Sequence, residues 1–272
     1  MTDFLARQEH FSVVGSTNDV VRDWLAAGTP EVCLAIADEQ SMGRGREGRS
    51  WIAPSGGALL LSLGFRPSWL PPERAWRLAA CVSMAMADAA EAVAGLPGGT
   101  IRLKWPNDLV APTSAGPSAV GKLAGVLGES DGLGTTDPRV IIGIGVNGDW
   151  PADTFPPDLA ASMTSLRAMS ADRPIDHRAV LAAFLARLEL GVHVLQGGRF
   201  DAAAWADRQV TTGRDIELIA PDGSMTTVRA IGVDAATGAL IVADGDAPGG
   251  HRSVVVGEIR HVRLPGVTAA AV

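Results

Sequence analysis

The sequence predicts an α+β fold: a β-sheet layered with helices, followed by a small β-rich unit at the C-terminal end. Three observations carry that expectation. EVCLAIAD (31–38), ALLLSLGF (58–65) and RVIIGIGVN (139–147) are apolar runs of strand length rather than helix length. Two longer stretches, 73–93 and 175–196, have the length and patterning of helices. After about residue 210 the texture changes to short β-rich pieces separated by PDG, ATG and APGG turns.

Taken in order, STNDVVRDWLAA (16–27) reads as a short helix, with Ser16 or Thr17 as cap, Asp19 in the first turn and Gly28 as stop. The strands at 31–38 and 58–65 enclose the stretch GRGREGRSW (43–51), which is therefore a tethered loop and not a tail. Pro71 and Pro72 introduce the Ala-rich helix ERAWRLAACVSMAMADAAEAV. TIRLKW (100–105) alternates like a strand and ends at Pro106. APTSAGPSA (111–119) is small, polar and proline-containing, hence a loose loop. GKLAGVLGES (121–130) is a further strand. IDHRAVLAAFLARLELGVHVLQ is an amphipathic helix capped by Asp176 and stopped at Gly197-Gly198. RDIELIA, SMTTVRAIGV, GALIVAD and HRSVVVGEIRHVRL then suggest a small barrel or sandwich. The boundary falls near 209, giving domains at 1–209 and 210–272. No repeat of 20 to 50 residues is visible, which argues against a solenoid.

Composition sets the class. With 47% hydrophobic and 19% charged residues, the chain is an ordinary globular protein. A net charge of −7 gives the body no attraction for nucleic acid or acidic membranes. Cys33 and Cys81 lie in apolar runs with no CxxC pair, the pattern of buried free thiols in a reducing compartment. MTDFLARQEHF has no apolar signal-peptide core, and the apolar run at 75–96 is broken by Arg77, Asp88 and Glu91. The expectation is a cytoplasmic protein without a membrane span.

Four clusters carry chemistry. In the 43–51 loop, Gly43, Gly45 and Gly48 permit left-handed backbone and close approach to a ligand, while Arg44, Arg46 and Arg49 supply planar forks for carboxylate or phosphate. Such a loop costs entropy to order, so it is expected to close on ligand. Trp51 offers a flat face for a purine ring. Alone, the stretch reads equally as a solvated turn or an RNA-binding RG segment. LKWPNDL (103–109) brings Lys104 and Asp108 to a turn, suiting phosphate and Mg²⁺, or equally a salt-bridged strand end. Lys122 in GKLAG (121–125) stands on an apolar strand with no charge nearby to balance it, so it either snorkels to solvent or points at an anion. GIGVN (143–147) ends on Asn147, whose amide can both donate to and accept from an adenine edge.

Together, in this order, the motifs resemble those of the biotin–protein ligases, also called biotin–[carboxylase] ligases or holocarboxylase synthetases. The resemblance rests on STN (16–18), EQSMGRGREGRSW (39–51), KWPND (104–108), GKLAG and GIGVN, and spans roughly residues 11–195. GRGRxGRxW followed by KWPND is highly specific. The C-terminal segment is similar to the family's small SH3-like cap only by position and texture.

The resemblance implies a class II aminoacyl-tRNA synthetase-like mixed sheet with a small SH3-like β-barrel. It implies joining of biotin and ATP, with Mg²⁺, to biotinyl-5′-AMP, and transfer of biotin to one lysine of a biotin carboxyl carrier domain of acetyl-CoA carboxylase or a related carboxylase. Ser16, Thr17, Asn18 and Gln40 would meet biotin's ring, with Arg44, Gly45 and Arg46 in the biotin loop and Arg46 toward phosphate. Arg49, Trp51, Lys104 and Asn147 would meet the ATP moiety. Lys122 would stand between biotin's carboxylate and the α-phosphate. Asp108 would hold Mg²⁺ or orient the incoming amine. Lys122, Arg46, Lys104 and Asp108 are the expected catalytic set. A fixed ammonium offsets the repulsion of two anions that must meet.

Three departures stand out: Met42 before the first loop glycine, Glu47 within the basic loop, and the long 111–119 loop, which could meet the carrier protein. About ten residues precede the first strand candidate, too few for a winged helix, so a monofunctional ligase without DNA binding is expected, as monomer or homodimer. The alternatives are a lipoate–protein ligase and a non-enzymatic binder of biotin or RNA. Neither cysteine sits where an octanoyltransferase's nucleophile would, and a chain without tyrosine, its arginine loop held between core strands, makes a poor RNA module.

Overall fold

The computed structural model describes residues 4–113, 119–256 and 261–264. Seven strands form one mixed sheet: β1 (Arg7–Val14), β2 (Cys33–Gln40), β3 (Ala58–Phe65), β4 (Arg102–Lys104), β5 (Asp108–Pro112), β6 (Val120–Asp131) and β7 (Arg139–Asn147). Their order is β1-β2-β3-β7-β6-β5-β4; β1 and β2 are parallel and every other pair is antiparallel. β3 is buried at all eight positions, as its unbroken apolar run requires of a strand covered on both faces.

Alternation along β2 sorts its side chains to the two faces. Cys33 and Ala35 pack with Val21, Trp24 and Leu25 of helix α1 (Thr17–Ala26). Leu34 and Ile36 join the main core beneath α2 (Trp76–Ala94) and α4 (His177–Gln196). Two short helices, α3 (Leu166–Met169) and α5 (Ala202–Asp207), flank α4 in the chain. α4 is long and apolar enough to cross a bilayer, yet Val180, Phe184, Leu188, Val192 and Leu195 are buried in the shared core. Its Asp176 cap accepts from the amides of Arg178 and Ala179, as its sequence suggests.

A separate antiparallel sheet follows: β8 (Asp215–Ile219), β9 (Met225–Val233), β10 (Leu240–Ala243), β11 (His251–Val254) and β12 (His261–Arg263), in the order β11-β10-β9-β8-β12. Ile216, Leu218, Leu240, Val242 and Val254 form its core together with Trp105, Val110 and Val120 of the large sheet. The Trp105 indole also donates to the Gly238 carbonyl at 2.9 Å. The small sheet is thereby fastened beside the KWPND turn.

Several expectations change. Ser16 occupies the cap position of α1 but makes no capping bond, and the Thr17 hydroxyl is engaged elsewhere. The 73–93 helix starts at Trp76, because Pro72–Arg74 forms a separate short turn. The loop expected at 111–119 starts later, since Ala111 and Pro112 still pair with Gly121 and Val120; residues 114–118 lie outside the described residues. Both cysteines are free, Cys33 buried and Cys81 half-buried, and burial pushes each thiol up to about 11.

Candidate active site

The site lies on the sheet where α1, the arginine loop and the ends of β5, β6 and β7 converge. Ser16, Thr17 and Asn18 open α1 and are all buried. The Thr17 amide donates to Gln40 Oε1 at 2.7 Å, and Thr17 Oγ1 lies 2.9 Å from the same oxygen and 2.6 Å from Ser62 Oγ. Ser62 Oγ donates to Asn18 Oδ1 at 2.6 Å, and Asn18 Nδ2 donates to Glu129 Oε2 at 2.6 Å. A Cβ at position 143 would collide with the Asn18 amide, so glycine there makes room for the wall. Ser62 and Glu129 are absent from the motif reading. A serine within ALLLSLGF was a legible signal, because a buried hydroxyl needs partners.

The arginine loop is closed on itself, where an open loop was expected. Gly45 N donates to Arg49 O at 2.7 Å and Trp51 N to Gly43 O at 2.9 Å. Glu47 and Gly48 take left-handed conformations at its tip, with φ of 56° and 70°. Arg44 forks onto Asp19, both bonds 2.7 Å, which raises the Arg44 pKa and lowers that of Asp19. Arg46 donates to the Val256 carbonyl at 3.1 Å, and burial lowers its pKa. These contacts with α1 and with the segment that follows β11 offset the ordering entropy that a ligand was expected to offset. Met42 is exposed and its chain extends toward Gly15.

Lys122 is not without a balancing charge: its Nζ lies 2.7 Å from Asp108 Oδ1. Lys104 approaches Asp108 Oδ2 at 3.4 Å. The turn between β4 and β5 and the bulged pairing of β5 with β6 bring one carboxylate between two ammonium groups. Burial pushes the Lys104 ammonium below the ordinary lysine range, and Asp108 opposes that push. Each carboxylate oxygen of Asp108 faces a lysine, and among the described residues no group of three or more His, Cys, Asp or Glu side chains could hold a metal.

Trp51 packs closely against β6 and β7 because Gly125 and Gly145 leave room for it. A Cβ at 145 would stand 2.5 Å from the indole, and one at 125 would stand 3.0 Å from it. Lys122 Nζ is 5.5 Å from the Trp51 ring centroid. Gly145→Ala is expected to displace the indole and cut ligand-dependent turnover by up to about 10²-fold, with little change in melting temperature. Steady-state kinetics beside thermal unfolding checks this.

Two recesses meet along this row. A tight one of roughly 110 Å³ is lined by Thr17, Gln40, Arg49, Trp51 and Lys122. A wider one of roughly 670 Å³ is lined by Lys104, Trp76, Trp105 and Trp205. Arg44, Gly45, Arg46 and Asp108 border both. Of the expected site residues, only Asn147 borders neither: it is buried, and its Nδ2 donates to the carbonyls of Thr164 and Lys122. It clasps the strand that carries Lys122.

The chain has relatives in fold and in sequence. The chain superposes on "Biotin protein ligase from Aquifex aeolicus in complex with biotin and ATP" with a TM-score of 0.73 at 22% identity, over 97% of this chain and 100% of that one, so the two share a fold. It is 33% identical over 173 residues to the "Bifunctional ligase/repressor BirA" of Bacillus spizizenii, covering 64% of this chain and 50% of that protein. The chain thus spans about half the length of that relative. It is 31% identical over 213 residues to the "Biotin--[acetyl-CoA-carboxylase] ligase" of Mycobacterium tuberculosis, covering 77% of this chain and 73% of that protein. The family model of the biotin/lipoate A/B protein ligases matches residues 10–147, from within β1 to Asn147, and the chain belongs to that family.

Proposed function

We propose that this chain is a biotin–protein ligase, an ATP-dependent, AMP-forming enzyme that makes biotinyl-5′-AMP and passes biotin to a lysine of a carboxyl carrier domain. The observation that carries this reading is the Lys122–Asp108–Lys104 row on the border of two recesses lined by arginines. Such a row suits a reaction in which two anions must meet. The names of the Mycobacterium tuberculosis and Aquifex aeolicus proteins support biotin, ATP and a carboxylase as the chemistry involved.

In the first step biotin's carboxylate oxygen bonds to the α-phosphorus of ATP, the bond to the β-phosphate bridging oxygen breaks, and pyrophosphate leaves. Lys122, held by Asp108, offsets charge between the carboxylate and the α-phosphate. Arg46, Arg49 and Lys104 serve the phosphate oxygens. In the second step the acceptor lysine's neutral amine attacks the acyl carbon, AMP leaves, and the amine gives up a proton. Asp108, beside the reacting centre, orients that amine. No nucleophile of the chain is needed, which agrees with thiols pushed up to about 11. ATP's Mg²⁺ requires no ligand from Asp108 in this scheme.

The same reading treats residues 1–209 as a catalytic domain of the class II synthetase-like type and 210–272 as an SH3-like barrel, in a cytoplasmic enzyme, monomer or homodimer, that does not bind DNA. The acceptor is a biotin carboxyl carrier domain of acetyl-CoA carboxylase or a close relative. Arg46→Ala removes a charged partner of the phosphate, and release of biotinyl-AMP is expected to quicken by about tenfold to a hundredfold. Stopped-flow displacement of the bound adenylate measures this.

The deciding experiment is biotin-dependent pyrophosphate release from ATP without any carrier protein, followed by mass analysis of the bound ligand. Biotinyl-AMP supports the reading. Turnover with lipoate in place of biotin moves the chain to lipoate ligation, and turnover with neither leaves a binder.

A further inference from the structure

Glu129 takes no part in the reaction as proposed, yet it ends an unbroken hydrogen-bonded chain of side chains, Thr17, Ser62, Asn18, Glu129, whose other end meets Gln40 Oε1 through the Thr17 amide. It is also paired with Arg22 at 2.8 Å. A carboxylate can only accept, so the Asn18 atom facing it is the amide nitrogen and the atom facing Ser62 is Oδ1. Ser62 has one proton, and Oδ1 takes it. The 2.6 Å contact between Ser62 and Thr17 then takes the single proton of Thr17. Every hydroxyl in the relay therefore donates toward Glu129.

One consequence falls on the ligand side. Thr17 Oγ1 lies 2.9 Å from Gln40 Oε1, which already accepts from the Thr17 amide at 2.7 Å; once the Thr17 proton points to Ser62 rather than to Gln40, one lone pair on each of the two oxygens is left to accept. Facing acceptors are satisfied by one external N–H donor. We propose that Glu129 is a positioning residue that fixes the direction of this relay and so makes the recess select a ligand ring N–H, as a cyclic urea presents. This rests on the reading that Thr17 and Gln40 meet biotin's ring.

Reversal shows why the charge matters. With an amide at 129, Asn18 can turn over and donate to Ser62, Ser62 to Thr17, and Thr17 to Gln40 Oε1. The acceptor pair is then satisfied internally, and the ring N–H loses its place. Deleting the Ser62 hydroxyl frees the Thr17 proton in the same way. Glu129 also lies 3.9 Å from Arg44 of the loop, whereas Ser62 is fully buried within the relay, so it is a loss shared by E129Q and S62A that travels through the chain.

The test measures KM and kcat for biotin in adenylation by wild type, E129Q, S62A, T17V and the exchange N18D/E129Q. E129Q and S62A are each expected to raise KM for biotin about tenfold, with kcat within about twofold and KM for ATP unchanged. The exchange puts the carboxylate at 18 and the amide at 129; the carboxylate at 18 still accepts from Ser62, so most of the loss is recovered. Unchanged KM in E129Q and S62A beside a raised KM in T17V overturns the relay and leaves the biotin site standing. An unchanged KM in T17V overturns the site assignment and the relay with it. An exchange variant no better than E129Q overturns the directional argument.

Discussion

On the proposed reading, Lys122→Ala is expected to abolish biotinyl-AMP formation, with a rate loss of about 10³-fold or more, while the chain still folds. Removing one preorganised charge from a transition state typically costs about 10²–10³-fold. In the proposed reaction the loss is compounded, because Lys122 would draw the reacting anions together as well as offset Asp108 in the same recess. Without it, Asp108 keeps only the more distant Lys104, at 3.4 Å, as counter-charge beside two anions that already repel. The side chain is 39% exposed, so truncating it opens no cavity in the core. Lys122→Arg keeps the charge on a longer, planar group and is expected to recover only part of the rate. Biotin-dependent pyrophosphate release, set beside thermal unfolding of each variant, gives the result. A Lys122→Ala enzyme with wild-type turnover refutes the role.

The fold was legible where burial is strongest. β3 and β7 coincide with apolar runs read at 58–65 and 139–147, because a strand covered on both faces must be apolar throughout. β1 was legible only as a strand candidate about ten residues from the start, for the opposite reason. It is an edge strand with no fully buried residue, so RQEHFSVV shows neither a run nor an alternation. Its place is set by parallel pairing with β2, a contact that local sequence does not encode. β5 was hidden inside the KWPND turn and the small, proline-bearing segment that follows, since its pairing with β4 and β6 is what makes Asp108–Pro112 a strand.

The site divides in the same way. Chemistry-bearing residue types in tight spacing announced the arginine loop, Lys104, Asp108 and Lys122, and of the residues bordering the tight recess only Leu61, Val126 and Leu127 lie outside the motifs. Pairings across the sheet did not announce themselves. Lys122 and Asp108 are well separated in the chain and meet only because β5 and β6 are neighbours. Asp19, read as a helix-start acid, turns out to hold Arg44 as well. Asn147 was read for its amide's capacity to bind adenine, but that amide is directed at backbone carbonyls within the fold. Side-chain chemistry states what a residue can do; only the neighbours across the sheet decide which capacity is used.

Asp108→Asn provides the second large effect, and it is one of stability with a pH signature. The carboxylate is nearly buried between Lys104 and Lys122, and Lys104 is itself only 13% exposed. Replacing it by a neutral isostere leaves a buried ammonium without its counter-charge, a change that typically costs about 3–5 kcal/mol. Burial already holds Lys104 below the ordinary lysine value of 10.5, and Asp108 is the main influence opposing it. In the variant the folded-state pKa drops further while the unfolded value stays. Between those two values the unfolded chain binds a proton that the folded chain does not, so stability rises with pH there. The deficit of Asp108→Asn against wild type is therefore largest near neutrality and shrinks as pH rises toward 10.5. Urea unfolding of both proteins from about pH 7 to about pH 10 reads this directly. A deficit constant across that range means that Lys104 is not the group carrying the cost, and a deficit that grows with pH reverses the sign on which the argument depends.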